Sequence, residues 1–205
     1  GQGVVQDQAE AAQWYRKAAE QGDADAQFIL GGVYDNGQGV AKDEAEAVGW
    51  YRKAAEQGDA SAQNNLGWMY SHGQGIAKDA AEAVGWYRTA AEQGDAAAQF
   101  NRGLKYARGK GVAKNEAEAV VWYRKAAEQG HAKAQFNLGA AYHDGLGVAK
   151  NEAEAVQWYR KAAEQGLPQA QNSLGGMYDT GQGVAQDAAE AVRWYRMAAD
   201  QGDAV

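Results

Sequence analysis

Apolar and polar positions along this chain alternate with helical spacing. After Asp23, the residues Ala26, Leu30, Gly31 and Tyr34 recur at i, i+4, i+5 and i+8, which sets them on one helix face. Asp23 stands where an N-cap is needed, and Gly37 suits the left-handed residue that ends such a helix. A second helix is predicted to start at Asp43, with Glu46 three residues later as a capping-box-like partner. At about 100° per residue, Ala47, Val48, Trp50, Tyr51, Ala54 and Ala55 share one side of it. Glu46, Lys53, Glu56 and Gln57 share the other side, and Gly58 stops the helix. Residues 24–59 therefore read as a helix–turn–helix hairpin.

The pattern repeats. Trp-Tyr-Arg begins at Trp14, Trp50, Trp86, Trp122, Trp158 and Trp194, always 36 residues apart, and a fixed period of this size marks a solenoid. Cutting at the acidic turn gives a half repeat at 1–23 and full repeats at 24–59, 60–95, 96–131, 132–167 and 168–203, with 204–205 as a tail. No linker interrupts them, so one continuous domain, 1–205, is expected. The sole proline, Pro168, falls at a first helical position, where its missing N–H does no harm. A two-helix unit cannot bury both of its apolar stripes alone, so hairpins must stack. Small residues such as Ala26 and Gly31 let the helices approach closely, and Trp50 with Tyr51 supplies much of the buried area.

The repeated string Ala-Gln-x-x-Leu-Gly-x-x-Tyr-x-x-Gly-x-Gly-Val, followed by Ala-x-x-Trp-Tyr-Arg-Lys-Ala-Ala-Glu-Gln-Gly, resembles the Sel-one-like repeat (SLR) family, relatives of the tetratricopeptide repeats. The resemblance runs over essentially the whole chain, at Ala26–Val40 and Ala47–Gly58, again at Ala62–Ile76, and onward. It implies an all-α fold, a right-handed α-solenoid whose first helices line a concave surface. It also implies an adaptor that binds other proteins, often in bacterial signalling, envelope or host-interaction settings. Some secreted relatives carry a disulfide in each repeat, which a chain without cysteine cannot form. Two departures stand out. Arg102 replaces the core leucine of the other repeats (Leu30, Leu66, Leu138, Leu174), and Lys105 takes the next mostly apolar position. His131 and Leu167 stand where the turn is otherwise acidic.

Composition removes several kinds of chemistry. With 20 Lys+Arg against 27 Asp+Glu, the net charge of −7 argues against nucleic-acid binding, which needs a basic footprint. No apolar run approaches the ~18 residues that would cross a bilayer. The Gly-x-Gly segments, such as Gly37-Gln38-Gly39, neither follow a strand nor continue to Lys-Ser/Thr, so they read as turns. His72, His131 and His143 lie in different repeats, too far apart to share a metal. No serine or threonine is set beside a histidine and a carboxylate as a nucleophile requires. An enzyme is not expected, nor a catalytic residue, metal or cofactor.

What varies between repeats says more about function. One first-helix column reads Gly32, Trp68, Leu104, Ala140, Gly176; a flanking one reads Asn36, His72, Arg108, Asp144, Thr180. A third reads Ile29, Asn65, Asn101, Asn137, Ser173. The asparagines suit either a ladder gripping a peptide backbone or bridges between adjacent helices, and the second reading is favoured. Trp68 suits a binding anchor or packing against Met69. Repeat 96–131 carries seven basic and three acidic side chains, and owes its sign to Arg102, Lys105, Arg108 and Lys110. These either snorkel to solvent or form a basic pocket beside Trp68 for an acidic or C-terminal carboxylate group. The candidate partner-binding set is Asn65, Trp68, His72, Asn101, Arg102, Leu104, Lys105, Arg108 and Asn137.

Three functions fit: a scaffold binding a protein or peptide in its concave groove, a module that self-associates through exposed solenoid ends, or a consensus-like scaffold without a dedicated ligand. The opening Gly1-Gln2-Gly3-Val4 is already repeat sequence, so any signal peptide is expected upstream. The absence of cysteine suits a periplasm and a cytosol equally.

Overall fold

A computed structural model of the chain describes residues 8–202. The start of the half repeat and the 204–205 tail lie outside the described residues. Among the described residues there are helices and no strands. In chain order they are α1 (Gln8–Glu20), α2 (Ala24–Asn36), α3 (Glu44–Glu56), α4 (Ala60–His72), α5 (Ala80–Glu92) and α6 (Ala96–Arg108). Then come α7 (Glu116–Glu128), α8 (Ala132–Asp144), α9 (Glu152–Glu164), α10 (Pro168–Thr180) and α11 (Ala188–Ala199). The fold is an all-α solenoid of repeated helix pairs. The chain gathers into two compact units: the first ends at Ala98 and takes in Lys110–Val112, and the second holds Gln99–Gly109 and continues from Ala113.

The helix ends follow the sequence signals. Asp23 Oδ1 accepts from the Ala26 N–H at 2.7 Å, and Asp43 Oδ1 accepts from Ala45 and Glu46, each at 3.0 Å. His131 does the same work with its Nδ1, 3.1 Å from the Ala134 nitrogen. Leu167 gives no side-chain cap, but Pro168 removes one of the N–H groups that would need one. At the other end of α2, Gly37 at φ 70° closes the helix through its N–H to the Val33 carbonyl. Gly39 has a different task. It lies so close to α1 that a Cβ there would collide with the Gln8 carbonyl. The Gly-x-Gly segments are thus a helix stop followed by a docking point on the preceding helix.

In the first unit α2 packs on α3 and α4 on α5, while α1 also covers α2 and α3 covers α4. In the second unit α8 pairs with α9 and α10 with α11, with α7 covering α8 and α9 covering α10. Each of these first helices is therefore held between two second helices. Leu30 and Leu66 in the first unit, and Leu138 and Leu174 in the second, are completely buried by this arrangement. Each such burial contributes roughly 1.5–3 kcal/mol.

Within a hairpin, a tyrosine ring lies in the notch left by a glycine. A Cβ on Gly31 would stand 2.6 Å from the Tyr51 ring, and one on Gly139 would stand 2.7 Å from Tyr159. Between hairpins, the hydroxyl of the same tyrosine reaches the next first helix: Tyr51 bonds Asn65, Tyr123 bonds Asn137 and Tyr159 bonds Ser173. Arginines of Trp-Tyr-Arg also cross to the next repeat. Arg52 donates to the Tyr70 hydroxyl at 2.8 Å, and Arg124 and Arg160 donate to Tyr142 and Tyr178, each at 2.6 Å.

A buried glutamine joins three helices at once. Gln63 donates from Nε2 to the Ala55 carbonyl at 3.0 Å and accepts on Oε1 from Gln93 at 2.8 Å. Gln27, Gln135 and Gln171 repeat both bonds with their own partners. The carbonyls served lie in the last turn of the preceding helix and also accept the N–H of the glycine three residues on, as Ala55 does from Gly58 at 3.0 Å, so the glutamine fills a second acceptor site there.

Where a lysine stands three residues on, it lies over the tryptophan of Trp-Tyr-Arg: Lys53 Nζ lies 3.8 Å from the centre of the Trp50 ring. Trp50, Trp122 and Trp194 are buried, whereas Trp14 on α1 is 61% exposed.

Two outcomes follow. Gly139→Ala should lower stability by about 1–3 kcal/mol, because its methyl meets the Tyr159 ring. Gly49→Ala, with open space around it, should raise stability by about 0.5–1 kcal/mol. Urea unfolding midpoints check both signs.

Burial, partly offset for Tyr51 by its bond to Asn65, pushes the Tyr51 and Tyr159 hydroxyls up from 10.0 to about 12. The folded chain then holds more protons than the unfolded one between pH 10 and 12, so stability should be intact below this window and fall across it. Urea midpoints through that range, with phenolate absorbance as a second readout, test the trend. A flat midpoint contradicts it.

Candidate functional site

The repeated polar residues are consumed by the fold, and this leaves the variable ones to be traced individually. In the first unit, Trp68 and His72 sit one turn apart on α4 with their rings stacked, centroids 4.3 Å apart. His72 Nδ1 is 2.9 Å from the Trp68 carbonyl oxygen. Trp68 is 36% exposed and, with Asp35, Tyr51, Asn64, Asn65 and Met69, lines a cleft of about 310 Å³. Asn65 reaches this wall already bonded to the Tyr51 hydroxyl. Trp68 thus borders open space together with the buried Met69.

In the second unit, Asn137 is bonded to Tyr123 in the same manner. Burial pushes the Tyr123 hydroxyl up, while Asn137 and the nearby Arg108 charge pull it partway back. Arg108 is exposed. Beside this pair lies a cavity of about 320 Å³ whose walls include Ala107, Val120, Tyr123, Asn137, Ala140 and Leu146. Leu146 is exposed and occupies the middle position of Gly-x-Gly, where Gln38, Gln74 and Gln182 stand in other repeats.

The remaining candidates turn toward packing. The Arg102 guanidinium lies 4.0 Å from the centre of the Trp122 ring, and Lys125 Nζ lies 4.1 Å from the same centre. An arginine is accommodated at a leucine position because its stem packs and its flat cation rests on an indole face. Lys105 is only 8% exposed, and Leu104 packs against the cluster around Leu138. Asn101 is half-buried. Arg102 and Arg108, six residues apart on α6, face directions about 120° apart. The structure therefore groups Asn65, Trp68 and His72 in one place and Arg108 with Asn137 in another, and does not aim Arg102 with Arg108.

The histidines serve separate local roles. His131 caps α8 and stacks on Phe100 at 4.7 Å, and His143 Nδ1 lies 2.7 Å from Glu152 Oε2. The Lys150 hydrogen bond at 2.8 Å, reinforced by His143, holds the Glu152 carboxyl below its usual range. Among the described residues, no group of three or more His, Asp or Glu is placed to hold a metal ion. No described helix is long and apolar enough to cross a membrane.

Sequence reasoning missed the structural glutamines and the acid beside Trp68. Gln27 lies one residue after Ala26 and three before Leu30, hence on the buried face, and it recurs as Gln63, Gln99, Gln135 and Gln171. That recurrence was the available signal. Asp35 gave a weaker one, since its column reads Ser71, Ala107, His143 and Asp179 elsewhere.

The model of the Sel1 repeat matches residues 1–23, 24–59, 60–95, 96–131, 132–167 and 168–203. A protective antigen of uropathogenic Escherichia coli, c5321, which displays an SLR fold, is 45% identical with a TM-score of 0.93. The similarity covers 99% of this chain but 44% of that one, so the chain spans less than half the length of that relative. A Sel1 repeat protein of Oxalobacter formigenes is 41% identical with a TM-score of 0.84, over 96% of this chain and 84% of that one. The cysteine-rich protein B of Helicobacter pylori is 31% identical with a TM-score of 0.50, over 65% of this chain and 97% of that one. No curated protein matches the sequence. Repeat for repeat, the chain belongs to the Sel1 repeat family, whose members are in general non-enzymatic scaffolds for protein interaction.

Proposed function

We propose that this chain is a non-enzymatic adaptor that holds a polypeptide partner against the variable faces of its first helices. One observation carries the reading. Many of the side chains that recur are spent on caps, notches and bridges, while Trp68, His72 and Arg108, which do not recur, remain at the surface, and Trp68 lines an open cleft. A tryptophan at such a place is a preferred anchor, because it buries a large rigid area on contact. Arg108 supplies a fixed positive charge near Tyr123, which lines a mostly apolar cavity bordered by Leu146, Lys114 and Glu116. An acidic side chain or a C-terminal carboxylate next to an apolar residue suits that combination.

Affinity capture from the native cell extract tests the proposal, with the wild-type chain compared against Trp68→Ala and Arg108→Glu. Each variant should keep its helical circular dichroism and lose roughly tenfold or more in partner affinity, the loss expected of an anchor residue. Capture unchanged in both variants rejects these faces as the binding surface.

A further inference from the structure

The cleft beside Trp68 has a chemical character of its own. Asp35, at the end of α2, and Trp68, on α4, meet there from successive first helices, with Asn64 and Asn65 between them. No other repeat pairs an acid at the first position with an indole at the second: the first column reads Ser71, Ala107, His143 and Asp179, and the second reads Gly32, Leu104, Ala140 and Gly176. The Asp35 charge is felt across the cleft by the Tyr51 hydroxyl. Lys42 also senses it, but its ammonium sits 2.9 Å from Glu44. Repeat 24–59, which supplies Asp35 and Tyr51, carries seven acidic side chains against three basic ones.

This chain also shows how its tryptophans are used elsewhere. Lys53 lies on Trp50, Lys161 on Trp158, and Arg102 with Lys125 on Trp122, all within 4.1 Å of the ring centre. Trp68 has Ser71 where those tryptophans have a lysine three residues on, and its ring stacks on His72. About 310 Å³ lies at the small end of the range for ligand sites and accommodates one long side chain.

We infer that this cleft receives an arginine or lysine side chain of the polypeptide partner, its cationic head on Asp35 and its stem against the Trp68 indole. An arginine meets both walls, since its planar fork pairs with a carboxylate while its face lies on an aromatic ring. The inference rests on the adaptor reading and adds to it the charge of the residue bound at this point, opposite in sign to the one suited to Arg108.

Selection from a phage-displayed random-peptide library on the intact chain, run in parallel on Asp35→Asn, tests it. The wild-type chain should enrich peptides with a basic residue at a fixed position, and Asp35→Asn should not. A synthetic copy of an enriched peptide, followed by fluorescence anisotropy, should bind at least tenfold more weakly to Asp35→Asn and to Trp68→Ala. Replacing its arginine by citrulline should weaken binding to the wild-type chain equally, which needs no altered protein. Enriched peptides without a basic position, or equal affinity after the citrulline exchange, overturn the subsite and leave the adaptor reading standing. No enrichment on either protein overturns both.

Discussion

A helix held between two others must satisfy its polar groups as well as its apolar ones, and the buried glutamine is where this chain meets that constraint. Its amide uses the donor side on the last turn of the preceding second helix and the acceptor side on the glutamine that ends its own hairpin. Hydrophobic contact alone is tolerant of sliding. An amide sealed among three helices is not, because a buried donor or acceptor without a partner costs about 1–3 kcal/mol. Leucine burial thus drives one hairpin onto the next, and the glutamine fixes where it stops. The Gly–Tyr notch and the Arg–Tyr bonds sharpen the same register.

Once docking is fixed by recurring residues, the others are released to vary. The tyrosine whose ring fills the glycine notch directs its hydroxyl to the variable face, and there its surroundings change sign. Asp35 lies near Tyr51, Arg108 near Tyr123, and Asp144 with Glu152 near Tyr159. A common scaffold therefore presents negative charge near Tyr51 and Tyr159 and positive charge near Tyr123. Under the proposed adaptor function, such a difference would let matched charges favour one partner and like charges penalise others.

The sequence made the architecture readable because its signals repeat. Helix limits, aspartate caps and Gly-x-Gly turns are local features, and six occurrences of Trp-Tyr-Arg fixed their register. The asparagine column was partly readable: bridging was the favoured alternative, and Asn65 and Asn137 do bridge to tyrosines. Other features depended on packing between distant residues. A glutamine reads as surface until the helix above it is known. Arg102 at a leucine site reads in the sequence as snorkelling to solvent or as part of a basic pocket, whereas its head lies on the indole of Trp122, twenty residues away. The acid in the cleft beside Trp68 was equally hard to read, because Asp35 is contributed by the preceding repeat.

The most direct test of dependence on docking uses the hairpin 132–167 as an isolated peptide, followed by far-ultraviolet circular dichroism and thermal melting at monomeric concentration. Without α7 in front of it, Leu138 loses part of its cover and Gln135 loses the Ala127 carbonyl, and the peptide should be largely unfolded with no cooperative transition. Helix content matching that of the same segment in the full chain, lost in a sharp melt, would contradict the account.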